Sequence, residues 1–184
     1  TKECIIIDPG DEAAHLAEKL QAGGYTPAAI LLTHAHFDHI MGVDALAGQY
    51  GIPVYVHADD ADMLQQPEVT CGAMIGTRAS AKADKQVHDG DTVNLAGMEI
   101  QVIHTPGHTP GGVCYYFPQE GVVFSGEILF CESVGRTDLP GGSMSQLVRS
   151  VREKLFKLPD LTIVYPGHGE PTKIGTEKQY NSFI

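Results

Sequence analysis

The sequence has 184 residues, of which 42% are hydrophobic and 19% are charged, as in ordinary globular proteins. A chain of this length can bury a sizeable core, and we expect residues 1–184 to form a single domain. The net charge of −11 at pH 7, without any basic stripe, argues against nucleic acid as a partner.

The location of the protein is predicted from its apolar runs and its cysteines. No apolar run approaches the ~20 residues of a membrane span, so no membrane association is expected. The four cysteines are widely spaced and form no Cys-x-x-Cys pair, which is typical of free thiols in a reducing compartment. We therefore expect a soluble cytoplasmic protein. The chain begins almost inside a strand and without an initiator Met, which leaves open that the native start, with any targeting segment, has been cut away.

The first half of the chain alternates short apolar strands with amphipathic helices. Asp11 is expected to cap a helix over residues 12–21, which Gly23-Gly24 would end. Residues 67–84 are rich in small side chains and are expected to form a loop. The other expected elements of this half are strands at 4–7, 29–32 and 54–56 and helices at 44–50 and 59–65.

The second half is predominantly β, with one strong helix. Apolar residues at helical spacing predict that helix over residues 145–157. A polar tail is expected after the last strand. The expected strands are 92–95, 99–104, 113–117, 122–125 and 161–164. Strands in both halves with helices outside them predict a layered α/β sandwich.

The richest cluster of metal-binding residue types directly follows the strand at 29–32. His34, His36, Asp38 and His39 place three imidazoles and one carboxylate within six residues. His34 and His36 are two positions apart, so both can point to the same side of an extended segment. Imidazole and carboxylate are common ligands of zinc and other transition metals. The cluster predicts a metal site, because solvated surface histidines would account for only one or two of its members.

Two further histidines lie in Pro/Gly-rich loops, each directly after a predicted strand. His108 lies in Thr105-Pro106-Gly107-His108-Thr109-Pro110-Gly111-Gly112, and His168 lies in Pro166-Gly167-His168-Gly169. Loops on a rigid scaffold often carry ligands. Taken singly, each histidine is equally a ligand or a turn residue. Taken with the first cluster, each becomes a ligand candidate.

These motifs, in this order, resemble the metallo-β-lactamase superfamily. His34-Ala35-His36-Phe37-Asp38-His39 matches its HxHxDH motif. The resemblance extends from Asp8-Pro9-Gly10 to the second histidine loop, nearly the whole chain. Within the superfamily the chain is most similar to the small glyoxalase II-like hydrolases, because of Gly135-Arg136-Thr137-Asp138 and the closing Tyr165-Pro166-Gly167-His168-Gly169.

The resemblance implies an α/β fold, the four-layer αβ/βα sandwich, with two divalent metal ions between the strand ends of two facing sheets. Zinc is the expected metal, and iron and manganese are alternatives. Asp38 would act in catalysis as well as in metal binding. The ligands implied by the motifs are, for one ion, His34, His36 and His108 and, for the other, Asp38, His39 and His168.

Position 127 departs from the family pattern. The family has a bridging Asp in a Ser-Gly-Asp segment, and here that segment reads Ser125-Gly126-Glu127. The Glu carboxylate reaches ~1.5 Å further, whereas metal–oxygen distances of ~2.0–2.2 Å tolerate little error. Either Glu127 bridges the ions in a loop that has adjusted, or the site is weakened or singly occupied.

By resemblance, the reaction is hydrolysis of a thioester such as S-lactoylglutathione by a metal-bound hydroxide. Only 16 residues follow His168, too few for the helical region with which glyoxalase II enzymes help to bind glutathione, so glutathione recognition stays open. One alternative is an oxidoreductase like the mononuclear iron persulfide dioxygenases. Another is a weakly active metal-binding variant, which would rest on Glu127. β-Lactam hydrolysis is less expected, because a shared fold does not establish a substrate.

The remaining polar residues of interest have weaker signals. Arg136 is a candidate substrate-binding residue near the cleft, or it forms a structural ion pair with Asp138. Asp8 is expected to orient a ligand histidine. His57 and His104 are expected to pack as structural residues.

Overall fold

The computed structural model describes residues 2–184, which divide into two compact units. The first unit contains the residues up to Val87 together with Asn94–Met98. The second contains His88–Val93 and Glu99–Ile184. The single domain expected from chain length stays a prediction.

The first unit is built on a parallel sheet, whose strands need crossover connections between them. Its strands, in their order across the sheet, are β1 (Glu3–Ile7), β2 (Thr26–Leu31), β3 (Val54–His57) and β4 (Lys85–Val87). Its helices are α1 (Ala13–Gly23), α2 (Phe37–Ile40), α3 (Val43–Tyr50) and α4 (Ala58–Ala61), with one-turn 3₁₀ helices at Met63–Gln65 and Gly72–Ile75.

Apolar residues of the helices and strands form the core of this unit. Ile30 and Leu32 at β2 and Leu46 of α3 are fully buried in one cluster. Burial on both faces is usual for parallel strands covered by helices, and it explains the continuous apolar run at the end of β2. Gly24 ends α1 as predicted, since its left-handed backbone (φ +66°) is readily adopted by glycine.

Two predictions for this unit need correction, and one strand was not predicted. Asp11 does not cap α1: Glu12 occupies the cap position, and the Asp11 carboxylate accepts a hydrogen bond from the Glu12 amide instead. The helix expected at 59–65 is two short pieces, α4 and a 3₁₀ turn. Strand β4 is absent from the predictions because Lys85 and Gln86 are exposed and give it no apolar pattern.

The second sheet has six strands among residues 2–184. They are β5 (Thr92–Leu95), β6 (Met98–His104), β7 (Val113–Phe117), β8 (Val122–Gly126), β9 (Ile163–Pro166) and β10 (Thr172–Lys173). Strands that are consecutive in the chain are neighbours in the sheet, from β5 at one edge to β10 at the other. The pair β8–β9 is parallel, and the pairs β6–β7, β7–β8 and β9–β10 are antiparallel. The helices are α5 (Met144–Glu153), a 3₁₀ turn at Leu155–Lys157 and α6 (Ile174–Tyr180).

Helix α5 provides much of the second core. Leu147 and Val151 are fully buried and cluster with Val123 and Val164 of the sheet. Ser143 caps the helix by accepting a hydrogen bond from the Gln146 amide. The prediction of a polar tail after β9 is wrong, because this segment forms β10 and α6.

No helix in the described part of the chain is both long and apolar enough to cross a bilayer.

A matched pair of glycine substitutions tests the packing of α5 against the loop that carries His108. Gly107 has φ +145°, and a Cβ there would lie 2.4 Å from the Leu147 Cα. We expect Gly107→Ala to lower the free energy of unfolding by ~1–3 kcal/mol or more through overpacking. Gly48 in α3 has open space around it, so Gly48→Ala should raise that free energy by ~0.5–1 kcal/mol. Urea denaturation measures both, and equal stability of the Gly107 variant and the wild type would contradict the described contact.

Candidate metal centre

In the first unit, parallel strand pairing places Asp8 beside the histidine motif. Strands β1 and β2 pair with Ile7 opposite Leu31, and the Asp8 amide donates to the Leu31 carbonyl at 3.1 Å. The carboxyl ends of parallel strands lie at the same edge of a sheet. Asp8 and Thr33 therefore leave the sheet together.

The Asp8 carboxylate organises this edge. Its Oδ1 accepts from the Thr33 amide at 2.7 Å, and its Oδ2 accepts from Thr33 Oγ1 at 2.6 Å. The same Oδ2 lies 2.9 Å from His39 Nδ1, so that nitrogen carries the proton and donates. Asp8 therefore contacts a ligand candidate, as expected from the sequence. Its φ of +46° is rare for a residue other than glycine and is typical of functional sites.

The hydrogen bonds of Thr33 also fix the tautomer of His34. Thr33 Oγ1 uses its proton on Asp8, so its oxygen accepts from His34 Nδ1 at 3.1 Å. With Nδ1 protonated, a neutral imidazole has its electron pair on Nε2, which is the form that binds metals.

The three histidines of the motif are buried and close together. His34, His36 and His39 are each at most 3% exposed. The ring centroid of His34 lies 4.9 Å from that of His36 and 4.2 Å from that of His39. Three buried imidazoles this close together, of which His34 and His39 have Nδ1 held as a donor, fit a divalent cation.

Asp38 completes the motif at the start of α2. Its side chain is 37% exposed, far more than those of the histidines, and its Oδ2 lies 4.0 Å from His39 Nε2. The turn at Gly10 packs against the backbone of Asp38, because a Cβ on Gly10 would lie 1.9 Å from the Asp38 carbonyl oxygen. The Asp-Pro-Gly turn therefore requires glycine at position 10.

In the second unit, Glu127 and His168 meet by the same strand geometry. Parallel strands β8 and β9 pair with Gly126 opposite Pro166, and the Gly167 amide donates to the Gly126 carbonyl at 2.8 Å. Glu127 Oε1 lies 3.6 Å from His168 Nε2. Two ligands at ~2.0–2.2 Å from one tetrahedral ion lie ~3.4 Å apart. The observed separation therefore fits two ligands of one ion.

His108 is oriented by a backbone carbonyl. Its Nδ1 lies 2.7 Å from the Arg136 carbonyl oxygen and donates to it, which again leaves the electron pair on Nε2. The segment that supplies this carbonyl also packs on the backbone of Glu127, since a Cβ on Gly135 would lie 1.8 Å from the Glu127 carbonyl oxygen. Sequence reasoning missed this role, because only the glycine at 135 gives a signal for it.

The Arg136 side chain forms the ion pair that the sequence allowed. Its Nε and Nη2 donate to the two carboxylate oxygens of Asp138 at 2.8 Å each, and both side chains are exposed. The hydrogen bonds from Arg136 lower the pKa of Asp138 to about 2. Substrate binding by Arg136 stays a prediction.

His57 and His104 both have hydrogen-bond partners in the fold, and their expected structural role stays a prediction. His57 Nδ1 accepts from the Asp59 amide at 3.2 Å and caps α4. His104 Nε2 lies 2.8 Å from the Pro110 carbonyl oxygen. Sequence reasoning missed Asp60, which is fully buried and accepts from the Ala35 amide within the histidine motif.

Known proteins resemble this chain over nearly all of its length. The profile of the metallo-β-lactamase superfamily matches residues 1–168. The probable metallo-hydrolase YqgX of Bacillus subtilis is 40% identical, over 99% of this chain and 87% of its own. Hydroxyacylglutathione hydrolase GloC of Haemophilus influenzae is 33% identical, over 100% of this chain and 88% of its own.

Solved structures resemble it as well. BLEG-1 B3 metallo-β-lactamase is 43% identical with a TM-score of 0.96, over 99% of this chain and 88% of its own. TTHA1623 in a di-iron-bound form is 41% identical with a TM-score of 0.86, over 97% and 88%. ETHE1 from Myxococcus xanthus is 32% identical with a TM-score of 0.80, over 99% and 74%.

Removal of the Asp8 carboxylate tests its role in metal binding. We expect Asp8→Ala to weaken zinc binding ~10–100-fold, because His39 and Thr33 lose the acceptor that orients them. Asp11→Ala, three residues away and exposed, is the matched control and should bind zinc like the wild type. Competition with a chromophoric chelator measures both affinities. Equal affinities in the two variants would show that Asp8 does not support a metal.

Proposed function

Because the chain belongs to the metallo-β-lactamase superfamily and is a metallo-hydrolase with its α/β fold, we propose that it hydrolyses thioesters of hydroxy acids, such as S-lactoylglutathione. The fold class expected from the motifs is thereby confirmed. The observation that carries the proposal is the set of buried imidazoles whose Nδ1 atoms are held as donors. The likeness to GloC supports the thioester as the substrate class.

We propose that the chain binds two divalent ions, each through its own set of three side chains. Zinc is the expected metal, and iron and manganese are alternatives. Glu127 would bridge the two ions. When bound, such ions lower the pKa of a bound water to near 7 and polarise a carbonyl group. The proposed ligands are, for one ion, His34, His36 and His108 and, for the other, Asp38, His39 and His168.

Asp38 is the proposed catalytic residue among these ligands. With its Oδ2 on the side of His39, the other oxygen can accept a hydrogen bond from the attacking water and orient it. The exposure of Asp38 allows solvent and substrate to reach this carboxylate. Arg136 is proposed to contact an anionic part of the substrate, for which it would exchange its ion pair with Asp138.

Two side chains near β8 are poorly suited to act as nucleophiles in place of water. Burial raises the pKa of Cys114 to about 12, so its thiol is not ionised near pH 7. The buried hydroxyl of Ser125 donates to the Leu129 carbonyl at 2.8 Å.

All four cysteines are free, as expected. Because free thiols are typical of a reducing compartment, we propose a cytoplasmic location.

A second candidate activity is hydrolysis of β-lactams, favoured by the 43% identity to BLEG-1 B3 metallo-β-lactamase. Both substrate classes have a carbonyl that water attacks, so the same ligands would serve either reaction. Two alternatives remain: iron-dependent oxidation of persulfides, and a weakly active metal-binding variant that would rest on Glu127. The di-iron-bound form of TTHA1623 keeps iron among the metals to be tested.

A substrate panel with the zinc- and iron-loaded protein tests the proposal. We expect thiol release from S-lactoylglutathione, followed with a thiol reagent, which a chelator abolishes and zinc restores. His36→Ala should lower kcat/KM at least ~100-fold by loss of a proposed ligand. His88→Ala changes an exposed histidine and is the control. Cleavage of a cephalosporin but no thioester would favour the lactamase, oxygen uptake with glutathione persulfide would favour the oxidoreductase, and activity that survives chelation would refute all three.

The length of the side chain at position 127 is tested by Glu127→Asp. The Glu127 carboxylate already lies 3.6 Å from His168 Nε2, so we expect the glutamate to be adapted to its site. Shortening it withdraws the carboxylate by ~1.5 Å, more than a coordination bond tolerates. Metal content by mass spectrometry should then fall from two ions towards one per chain. A gain of metal or activity would instead identify Glu127 as a weakened bridge, and no change would show that its length is immaterial.

A further inference from the structure

The carboxylate of Glu177, in α6, is buried and has no part in the proposed reaction. It is 1% exposed. Its Oε1 accepts from Thr172 Oγ1 at 2.6 Å, and its Oε2 accepts from the Glu132 amide at 3.0 Å and from Asn181 Nδ2 at 2.8 Å. A buried carboxylate with this many donors holds their positions firmly.

Two of these bonds fix a turn far away in the sequence. Asn181 Nδ2 also donates to the Ser133 carbonyl at 3.0 Å, so Glu177 and Asn181 together hold both residues of the Glu132–Ser133 turn. Glu132 has φ +53°, which residues other than glycine rarely adopt. The Ser133 amide and carbonyl close the turn onto Phe130. This conformation is therefore held from α6.

The turn lies in the middle of a segment, 127–136, that contacts the proposed metal ligands at both ends. The segment begins at Glu127, which is itself a proposed ligand. Near its other end, Gly135 packs against the Glu127 carbonyl. The next residue, Arg136, supplies the carbonyl that accepts from His108 Nδ1. A shift of the turn would consequently move both Glu127 and the acceptor of His108.

We propose that Glu177 is a positioning residue for the metal centre, acting through the Glu132–Ser133 turn on Glu127 and His108. This inference rests on the proposed function only in that the chain binds a metal through these two residues. The hydrogen bonds from Glu177 and Asn181 to the Glu132–Ser133 turn form a clamp. Because a ligand that is already held in place needs no ordering when the ion binds, this clamp strengthens metal binding.

The chemistry of the clamp predicts different results for two substitutions. In Glu177→Gln, the amide oxygen can still accept from Glu132 and Asn181, while the amide nitrogen donates to Thr172 Oγ1, which can accept. Glutamine therefore preserves the clamp. Alanine removes all three bonds.

Zinc affinity of the full chain, measured by competition with a chromophoric chelator, tests the proposal. We expect Glu177→Ala to bind zinc ~10-fold more weakly or worse, and Glu177→Gln to bind like the wild type. Ile174→Ala is the matched control, because Ile174 is fully buried in the same helix but belongs to the apolar core. It should lower the midpoint of urea denaturation without weakening zinc binding.

Two further measurements keep the test decisive. Asn181→Ala removes the bond to Ser133 and should weaken zinc binding severalfold even if Glu177→Ala fails to fold. In metal-free protein, hydrogen exchange at residues 130–136 should be faster in the folded Glu177 or Asn181 variant than in Ile174→Ala.

The outcomes separate this inference from the proposed function. Zinc affinity that is unchanged in the folded Glu177 and Asn181 variants, or lowered equally by Ile174→Ala, would overturn the positioning role. A wild type that binds zinc and shows the expected differences, but cleaves no thioester, would support positioning and refute the substrate. A wild type that binds none of zinc, iron or manganese would refute both.

Discussion

A metal-binding imidazole almost always donates its other ring N–H to an acceptor, and in the first unit a single carboxylate arranges this for two of the three motif histidines. Asp8 accepts directly from His39 and, through Thr33, fixes His34. To do so, Asp8 adopts a left-handed backbone, and the chain turns so sharply that only glycine fits at position 10 against Asp38. The Asp-Pro-Gly turn is thus part of the proposed metal centre as well as a connection between β1 and α1.

The same constraint is met differently in the second unit. His108 uses a backbone carbonyl, at Arg136, which no side-chain substitution at that position removes. The segment that carries this carbonyl is therefore held by other contacts. Gly135 packs against Glu127, and Glu177 accepts a hydrogen bond from the Glu132 amide in the Glu132–Ser133 turn. The Asp8 side chain contacts His39 directly, whereas the position of the Arg136 carbonyl depends on the fold of its whole segment.

Sequence reasoning predicted best what depends on neighbours in the chain. The apolar runs of β2 and β7 and the histidine motif are local patterns, and each predicted strand has a counterpart, with ends shifted by up to three residues. Two errors are local, at the start of α1 and in the helix expected at 59–65, and the others concern residues whose partners are distant. Residues 170–184 were expected to be a polar tail because the sequence does not show that Glu177 is buried with Glu132 and Asn181 as its partners. The sequence predicted a role for the charged side chain of Arg136, whereas the backbone carbonyl of Arg136 makes the contact with His108.

These constraints also bear on the glutamate at position 127. Its backbone is fixed on both sides, since Gly126 accepts from the Gly167 amide and Gly135 leaves no space beyond the Glu127 carbonyl. These contacts hold the backbone on either side of the Glu127 side chain. The His168 side chain is 58% exposed, whereas that of Glu127 is 12% exposed. If Glu127 bridges two ions, we expect its own rotamer and the position of the more exposed His168 to accommodate its greater length.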